Sequence, residues 1–344
     1  MSWGASPACP EGTIEGYILS RPFRLHSPSA TAKIDAQPSA ARRVAVLMPT
    51  LDAGPRFDAV LRALADQQPA LQRLAIIDSG SSDGTVAKAQ AAGLTVCPIA
   101  PSTFNHGATR QMAIEQLAGD AAFVVFLTQD AVLANPQAIA CLLGAFDDPS
   151  VAAAYGRQLP HADATPVAAH ARLFNYPPQS ATRTLADADR LGLKACFLSN
   201  SFAAYRVSAL QQVGGFAPGL ILGEDMHLAA RLMLAGHAVR YQDDAVVYHS
   251  HNYSCLQEFQ RYFDTGVFHA QQDWLLRDFG GASREGWKFL VSEVGYLLQH
   301  AFWRLPEAGV RTVLKLLAYR LGRRHDRLPR AWQRAFSMHK GFWA

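Results

Sequence analysis

Two groups of side chains in this sequence have the types and the spacing of a catalytic site. The first is Asp130, which follows the apolar run over residues 121–127. Burying an ionised carboxylate without a partner is very costly, so this position indicates a cation, a cluster of donors or solvent beside it. The alternative is that Asp130 caps a helix predicted near residues 135–146, and this segment alone supports both interpretations about equally.

The second group contains two acids and two histidines that are close in sequence. Glu224 and Asp225 precede an amphipathic helix that ends at Gly236, and the positive end of a helix dipole favours anions, so capping alone can explain one or both acids. His249 and His251 emerge from an apolar run, and strand alternation would place both imidazoles on one side. A single histidine is more often a core residue than a metal ligand. Two histidines on one face make the core and ligand interpretations about equally favoured.

A parallel sheet is the element that would position these groups. From Arg43 onward, apolar runs at 44–50, 74–78, 94–99 and 121–127 alternate with helical patterns near 55–67, 83–92 and 108–118. Strict alternation predicts an α/β, Rossmann-like, mostly parallel sheet with helices on both faces. Ligands of such sheets collect beyond the carboxyl ends of the strands.

The residues that follow these strands are mostly polar. They include Pro49, Thr50, Asp52, Asp78, Asn105, His106, Gln129 and Asp130. The turn "DSGSSDGT" is neither a phosphate loop nor a G-x-G-x-x-G fingerprint. An Asp at position 78 could accept the N3–H of a pyrimidine base, although the same turn without a ligand would be ordinary.

Composition divides the chain into three regions. Residues 1–42 are rich in Ser, Pro and Ala and predict an arm or linker, residues 43–253 an α/β domain that carries the candidate catalytic groups, and residues 254–344 a helical, basic C-terminal region. Neither a signal peptide nor an apolar run long enough to span a membrane is expected. Five widely separated cysteines without a C-x-x-C pair argue against a disulfide framework or a structural zinc site, so we expect a cytoplasmic protein.

The C-terminal region carries a basic amphipathic pattern. Residues 301–344 hold ten Lys and Arg residues against Glu307 and Asp326. An apolar stripe at helical spacing is flanked by basic residues; the stripe is Val310, Val313, Leu314, Leu317 and Leu321, and the basic residues are Arg311, Lys315, Arg323 and Arg324. The stripe could lie on an anionic membrane, pack on the core or contact a second subunit. DNA is not an expected partner, because no recognition module accompanies the charge.

Five segments together resemble the inverting nucleotide-sugar glycosyltransferases of family two, which share the GT-A fold. They are "VAVLMPTLDAG", "IIDSGSSDGT", "FNHGATRQ", "LTQDA" and "GEDMHLAARLMLAGHAVRY", in matching order over residues 43–252. The segments "FNHGATR", "TQDA", "YHSHNYS" and a C-terminal "LP…FSMHKGFW" are most similar to bacterial rhamnosyltransferases that build O-antigen and related surface polysaccharides.

The resemblance implies a donor, dTDP-L-rhamnose, and a saccharide acceptor that is lipid-linked. Asp78 would bind the thymine, Pro49, Thr50 and Asp52 would line the nucleoside pocket, and Asn105, His106, Arg110 and Gln129 would approach the donor. Asn200 and Ser201 would bind the acceptor.

The resemblance also implies a cation and a base. Asp130 with His249 or His251 would hold Mg²⁺ or Mn²⁺ on the diphosphate, and Asp225 would be the base with Glu224 beside it. Many relatives have two acids where this chain has Thr128 and Asp130; Mg²⁺ tolerates one carboxylate, and an imidazole better suits Mn²⁺. The helix dipole should lower the pKa of Asp225 and Glu224 should raise it, so the balance is open.

The sequence leaves three other functions to consider. A UDP-sugar could be the donor, or the chain could be a non-catalytic nucleotide-sugar-binding scaffold. Sugar-1-phosphate nucleotidyltransferases would bind similar molecules, but they need a G-x-G-T-R signature after the first strand, which "MPTLDAGPR" lacks. A single displacement by the inverting enzyme would convert a β-linked donor into an α-rhamnoside.

Overall fold

The structure is a computed structural model that describes residues 43–281 and 283–343. The arm predicted over residues 1–42 lies outside the described residues. The first described strand begins at Val44, as the sequence predicts.

Strands and helices alternate through the first part of the fold. The order is β1 (Val44–Thr50), α1 (Phe57–Ala65), β2 (Arg73–Asp78), α2 (Thr85–Ala91), β3 (Thr95–Pro98), α3 (His106–Leu117) and β4 (Phe123–Leu127). β1 lies between β2 and β4, β3 pairs with β2, and all three pairings are parallel. The predicted parallel sheet is confirmed here, and each predicted end lies within two residues of the observed one.

The second part of the sheet is mixed. Its elements are β5 (Val132–Leu133), α4 (Ala138–Gly144), β6 (Val151–Leu159), α5 (Pro166–Asn175), β7 (Ala181–Arg183), α6 (Ala188–Leu191), β8 (Phe202–Arg206), α7 (Val207–Val213), α8 (Glu224–Leu234) and β9 (Ala238–Tyr248). β8 runs antiparallel to both β4 and β6, β6 and β9 are parallel, and β5 and β7 are antiparallel to β9. The strand predicted from residue 196 begins only at Phe202.

Hydrophobic clusters cover both faces of the sheet. Along β1, Ala45 and Leu47 belong to one cluster, whereas Val46 and Met48 belong to the other. Successive side chains of a strand point to opposite faces, so a strand covered on both sides reads as a continuous apolar run. This packing fixes the strand ends where the polar residues stand.

The C-terminal region is helical, as predicted. It contains α9 (Cys255–Gln271), α10 (Asp273–Phe279), α11 (Ser283–His300), α12 (Leu305–Gly322) and α13 (Arg330–Phe336). α9 and α12 approach closely at two glycines: a Cβ at Gly322 would lie 2.0 Å from the Phe263 carbonyl oxygen, and one at Gly266 would lie 2.4 Å from that of Tyr319. Phe263 and Phe268 of α9 join one of the two sheet-covering clusters, so this region packs directly on the sheet.

Candidate active site

A cleft of about 1030 Å³ lies beyond the carboxyl ends of the strands. The structure brings most of the sequence-predicted site residues into its wall. These are Pro49, Thr50, His106, Arg110, Gln129, Asp130, Asn200, Ser201, Glu224, Asp225, His249 and His251. Asp52, Asp78 and Asn105 are not among the lining residues.

Asp130 and the two histidines form one cluster because of how the strands pair. Val132 of β5 pairs with Tyr248 of β9, which brings the segment after β4 beside the segment after β9. His249 Nε2 lies 3.5 Å from Asp130 Oδ1, and His251 Nδ1 lies 3.7 Å from Asp130 Oδ2. One ligand atom from each residue lies within 4.8 Å of the others, a set that could hold a metal ion.

The alternative role of Asp130 as a helix cap is wrong. The next helix, α4, begins at Ala138, and Gln137 occupies its N-cap position. Asp130 therefore stands well before that helix, and its carboxylate faces the histidines.

The protonation of this cluster suits a divalent cation. Burial alone would raise the pKa of Asp130, but its two imidazole neighbours, first His249 and then His251, bring that pKa well below its usual range. Burial, followed by the charge of His249, lowers the pKa of His251 to about 3. Among the described residues, the buried His249 Nε2 has no hydrogen-bond partner. An anionic carboxylate and neutral imidazoles are the donor forms that bind metals, so the residues fit the cation.

Glu224 and Asp225 open α8, where Gly223 takes the left-handed conformation (φ 75°) as the N-cap. Glu224 Oε1 lies 3.1 Å from Arg110 Nη1 and accepts a hydrogen bond of 2.9 Å from Asn200 Nδ2. Burial would raise the pKa of Glu224, but the charges of Arg110 and His106 lower it overall. Glu224 is therefore a buried anion with a fixed partner.

Asp225 has the opposite balance. Its Oδ1 accepts from the backbone N–H of Met226 at 2.8 Å, and its Oδ2 accepts from that of Asn200 at 3.2 Å. Burial, and then the negative charge of Glu224, raises the pKa of Asp225 to about 7. The balance that the sequence left open therefore favours a carboxylate that can accept a proton near neutral pH.

Asp78, which the sequence assigns to base binding, is 3% exposed and saturated by its own turn. Its Oδ1 accepts from the N–H groups of Gly80 and Ser81, and its Oδ2 accepts from the hydroxyls of Thr50 and Ser81. Four donors use the full capacity of a carboxylate. In this arrangement Asp78 orders the turn after β2 and ties it to Thr50 of β1, and direct contact with a base stays a prediction.

Three other predicted donor-binding residues also organise loops. Asn105 is the N-cap of α3 and accepts from the N–H groups of Gly107 and Ala108. Asp52 Oδ1 accepts from the backbone N–H of Ser82 at 2.7 Å. Gln129 bonds both backbone groups of Leu51, at 2.8 and 2.9 Å, and so ties the loop after β4 to the loop after β1.

Asn200, an expected acceptor-binding residue, donates hydrogen bonds to both acids. Besides its bonds to Glu224 and Asp225, its Oδ1 accepts from the Tyr205 hydroxyl at 2.6 Å, and the residue is only 3% exposed. Ser201 lines the cleft, and its carbonyl accepts from the backbone N–H of Thr128. Acceptor binding by these two residues stays a prediction, and Asn200 has little capacity left for it.

Several cleft residues were missed by the sequence analysis. Arg261 of α9 is exposed in the cleft, 5.9 Å from the Tyr253 ring centroid. Met338 and His339 reach the cleft from the end of the chain, and the Met338 N–H donates to Asp264 Oδ2 at 2.9 Å. The His339 ring lies perpendicular to that of His106, with centroids 5.0 Å apart. The segment "FSMHKGFW" was noted for resemblance, but nothing local in it indicates that it closes a distant cleft.

Comparison with known proteins agrees with this geometry. The profile of the family described as "Glycosyltransferase like family 2" matches residues 41–263. The chain is 47% identical over 302 residues to the O-antigen chain rhamnosyltransferase RfbN of Salmonella typhimurium, covering 88% of this chain and 96% of that protein. It is also 47% identical over 299 residues to the O-antigen chain rhamnosyltransferase WbaN of Salmonella anatum, covering 87% and 95%.

A solved structure shares the fold. The mannosyltransferase PcManGT from Pyrobaculum calidifontis, determined in complex with GDP-Man and Mn²⁺, is similar with a TM-score of 0.55 at 17% identity, over 96% of this chain and 90% of that one. At this identity the likeness concerns the fold alone. The family match, the two long relatives and the GT-A architecture lead to one conclusion: the chain belongs to glycosyltransferase family 2 and is an enzyme of that class.

Proposed function

We propose that this enzyme transfers L-rhamnose from dTDP-L-rhamnose to a saccharide acceptor, with inversion, in the synthesis of a bacterial surface polysaccharide. The names of two relatives that are 47% identical over most of their length support the sugar and the pathway class. The observation that carries the catalytic proposal is that Asp225 and the cluster of Asp130, His249 and His251 line one cleft.

Asp225 is the proposed base. Its carboxylate takes the proton from an acceptor hydroxyl as that oxygen bonds to the anomeric carbon, and the bond from this carbon to the diphosphate oxygen breaks. The nucleoside diphosphate leaves with the electron pair. Because one displacement occurs, a β-linked donor gives an α-rhamnoside.

Asp130, His249 and His251 are the proposed ligands of Mg²⁺ or Mn²⁺. A cation held there would supply Lewis-acid stabilisation of the diphosphate. A cluster with a single carboxylate would suit Mg²⁺, which proteins commonly hold by one or two carboxylates together with water and substrate phosphates. Arg172 and Arg261 line the same cleft and add positive charge where a diphosphate would lie.

The donor is tested by thermal shift with dTDP-L-rhamnose, UDP-glucose and UDP-GlcNAc, each with Mn²⁺, followed by product formation from the labelled sugar. A ligand that binds only the native state raises apparent stability, and dTDP-L-rhamnose is expected to raise it most. A response to UDP-sugars alone would support the UDP-sugar alternative. Binding without any product, with saccharide acceptors supplied, would support the scaffold alternative.

A broad apolar surface on α11, α12 and the turn between them supports contact with a lipid bilayer. Its exposed residues are Trp287, Val291, Val294, Leu298, Phe302, Trp303, Val310, Val313, Leu316 and Leu317. Surfaces of this kind mark interaction sites, and exposed basic residues of the same region, including Arg320 and Arg324, favour an anionic membrane as the partner. None of the helices within 43–281 and 283–343 is long and apolar enough to span a membrane.

The structure shows which residues of the predicted C-terminal stripe and its basic flanks could contact a membrane. Val310, Val313 and Leu317 are exposed, but Arg311 and Lys315 point inward and pair with Glu258 at 3.0 and 3.3 Å. The predicted contribution of these two cations to a membrane-facing surface is therefore wrong.

The membrane proposal places the enzyme at the inner face of the cytoplasmic membrane, where a lipid-linked acceptor would be reached. Flotation with vesicles containing anionic lipid tests it with the variant Trp303→Ser/Val313→Ser, which changes residues 64% and 65% exposed. The wild-type protein is expected to float and the variant to remain in the dense fraction. Equal flotation would reject this surface, and a change of gel-filtration volume instead would indicate a subunit contact.

A further inference from the structure

Gln158 contacts one ring nitrogen of His249, Nδ1, while the other, Nε2, faces Asp130. Gln158 lies near the end of β6, is 1% exposed, and is paired in register with Val247 of the neighbouring β9. Its Oε1 lies 2.9 Å from His249 Nδ1 and 2.9 Å from Arg172 Nη1, and its Nε2 donates to Ser199 Oγ at 3.0 Å.

The partners of this amide remove the usual ambiguity about its orientation. A guanidinium can only donate, so the amide atom that faces Arg172 must be the carbonyl oxygen. The same carbonyl oxygen of Gln158 faces His249 and can only accept a hydrogen bond. His249 therefore carries its hydrogen on Nδ1.

The consequence appears at the other side of the imidazole ring. With the hydrogen on Nδ1, Nε2 presents a lone pair, and Asp130 Oδ1 lies 3.5 Å away. Within the described part of the chain this buried nitrogen has no hydrogen-bond partner. A lone pair and a carboxylate oxygen that face each other are complementary to a cation between them.

We propose that Arg172 and Gln158 are positioning residues: they hold His249 as its Nδ1–H tautomer, so that Nε2 ligates the divalent cation together with Asp130 and His251. The proposal rests on the proposed cation site but not on the identity of the sugar or the nucleotide. Hydrogen-bond partners of a ligating histidine orient its ring and raise its basicity, and their loss typically weakens metal affinity by about 10- to 100-fold.

The test is the affinity of the full-length protein for Mn²⁺, measured by the electron paramagnetic resonance signal of free Mn²⁺ without any sugar nucleotide. Gln158→Leu is expected to weaken binding by about 10- to 100-fold. Gln158→Glu is expected to bind within about threefold of wild type, because a carboxylate also accepts the Nδ1–H and pairs with Arg172.

Two further variants separate this role from general destabilisation. Gln67→Leu removes another buried amide, which is 3% exposed and bonded to Ala63 and Asn135 away from the cleft, and it should leave Mn²⁺ affinity unchanged. Arg172→Met keeps the amide of Gln158 but frees it to rotate, so it should weaken Mn²⁺ binding by less than Gln158→Leu does. If Gln158→Leu does not fold, this variant carries the test.

The inference is overturned if wild type fails to bind Mn²⁺, if folded Gln158→Leu or Arg172→Met binds it as tightly as wild type, or if Gln158→Glu loses as much affinity as Gln158→Leu. Failure of the proposed function is recognised separately, because it would appear as absence of rhamnosyl transfer by the wild-type enzyme whatever its Mn²⁺ affinity.

Discussion

Two carboxylates of the cleft, Asp130 and Asp225, have pKa values shifted in opposite directions. Asp130 lies between two imidazoles, and its pKa is held well below the usual range despite burial. Asp225 lies beside Glu224, and burial and that neighbouring charge raise its pKa to about 7. The same functional group is thus an anion at one position and a proton acceptor near neutrality at the other.

This difference shows how one fold separates two chemical roles. Titratable groups whose environments push their pKa values apart can be assigned different tasks, and here the neighbours decide the assignment. The imidazoles are suited to share a cation with Asp130, whereas Arg110 neutralises Glu224 and not Asp225. The following predictions would break or refine this comparison.

The largest expected effect follows from removing the base. Asp225→Asn should lower kcat by about 10²- to 10⁴-fold, because a positioned base contributes about that much, while Mn²⁺ and donor affinities stay close to wild type. The measurement is single-turnover transfer together with donor binding. Asp189→Asn, at an exposed position of α6, is the matched control. Unchanged kcat in Asp225→Asn would reject its role.

Removing the carboxylate of Asp130 should instead affect binding of the metal and the donor. Asp130→Ala is expected to weaken Mn²⁺ affinity by at least about 10-fold, because even the loss of an outer-shell partner costs that much, and to weaken Mn²⁺-dependent donor binding with it. Titration of Mn²⁺ and of donor with and without the metal checks this. Donor affinity that is unchanged in the presence of Mn²⁺ would contradict the assignment.

A smaller effect is expected from removing the negative charge beside the base. Glu224→Gln removes the anion that helps raise the pKa of Asp225 and leaves the charge of Arg110 uncompensated, so that pKa should fall. A base must be deprotonated, so the rising limb of the pH profile of kcat/KM should move to lower pH. Breaking the buried pair should also destabilise the fold by about 3–5 kcal/mol, measured by urea unfolding.

If the rising limb of the pH profile does not move in a folded Glu224→Gln protein, Glu224 does not influence the pKa of Asp225. A shift to higher pH would contradict the electrostatic account directly.

The smallest expected effect concerns the C-terminal segment. His339 packs against His106 near Glu224, so His339→Ala should lower kcat/KM by about 2- to 10-fold, the size of one lost ring–ring contact, without changing Mn²⁺ affinity. Lys340→Ala, the exposed neighbour, serves as the control. Weakened Mn²⁺ binding in His339→Ala would show that His339 supports the Asp130 cluster and would contradict this assignment.

The parallel part of the fold was predictable because its signals are local. Alternation of apolar runs and helices located β1 to β4, and the topology of such sheets then placed Asp130 beyond a strand end. The mixed part was less accessible: the loop before Phe202 reads as strand, since residues 196–198 are apolar, yet it forms the turn that carries Asn200.

The detailed roles within the cleft depended on contacts between distant residues. Asn105 and Gln129 were predicted to bind the donor, but their polar atoms bond nearby backbone groups, which a residue type alone does not reveal. Gln158, Arg261 and His339 come from segments that are remote in sequence and have no distinctive local pattern. The pairing of β6 with β9 places Gln158 beside His249, and the packing of α9 and of the C-terminal segment brings Arg261 and His339 to the cleft.

The most direct test of the different roles of Asp130 and Asp225 is the pH dependence of kcat/KM for the wild-type enzyme at saturating Mn²⁺. We predict that kcat/KM rises about tenfold per pH unit below an apparent pKa of about 7 and is level above it, because Asp225 must lose its proton to act. A rate that is flat between about pH 5 and pH 8 would contradict the account, because Asp225 would then be ionised throughout, as Asp130 is.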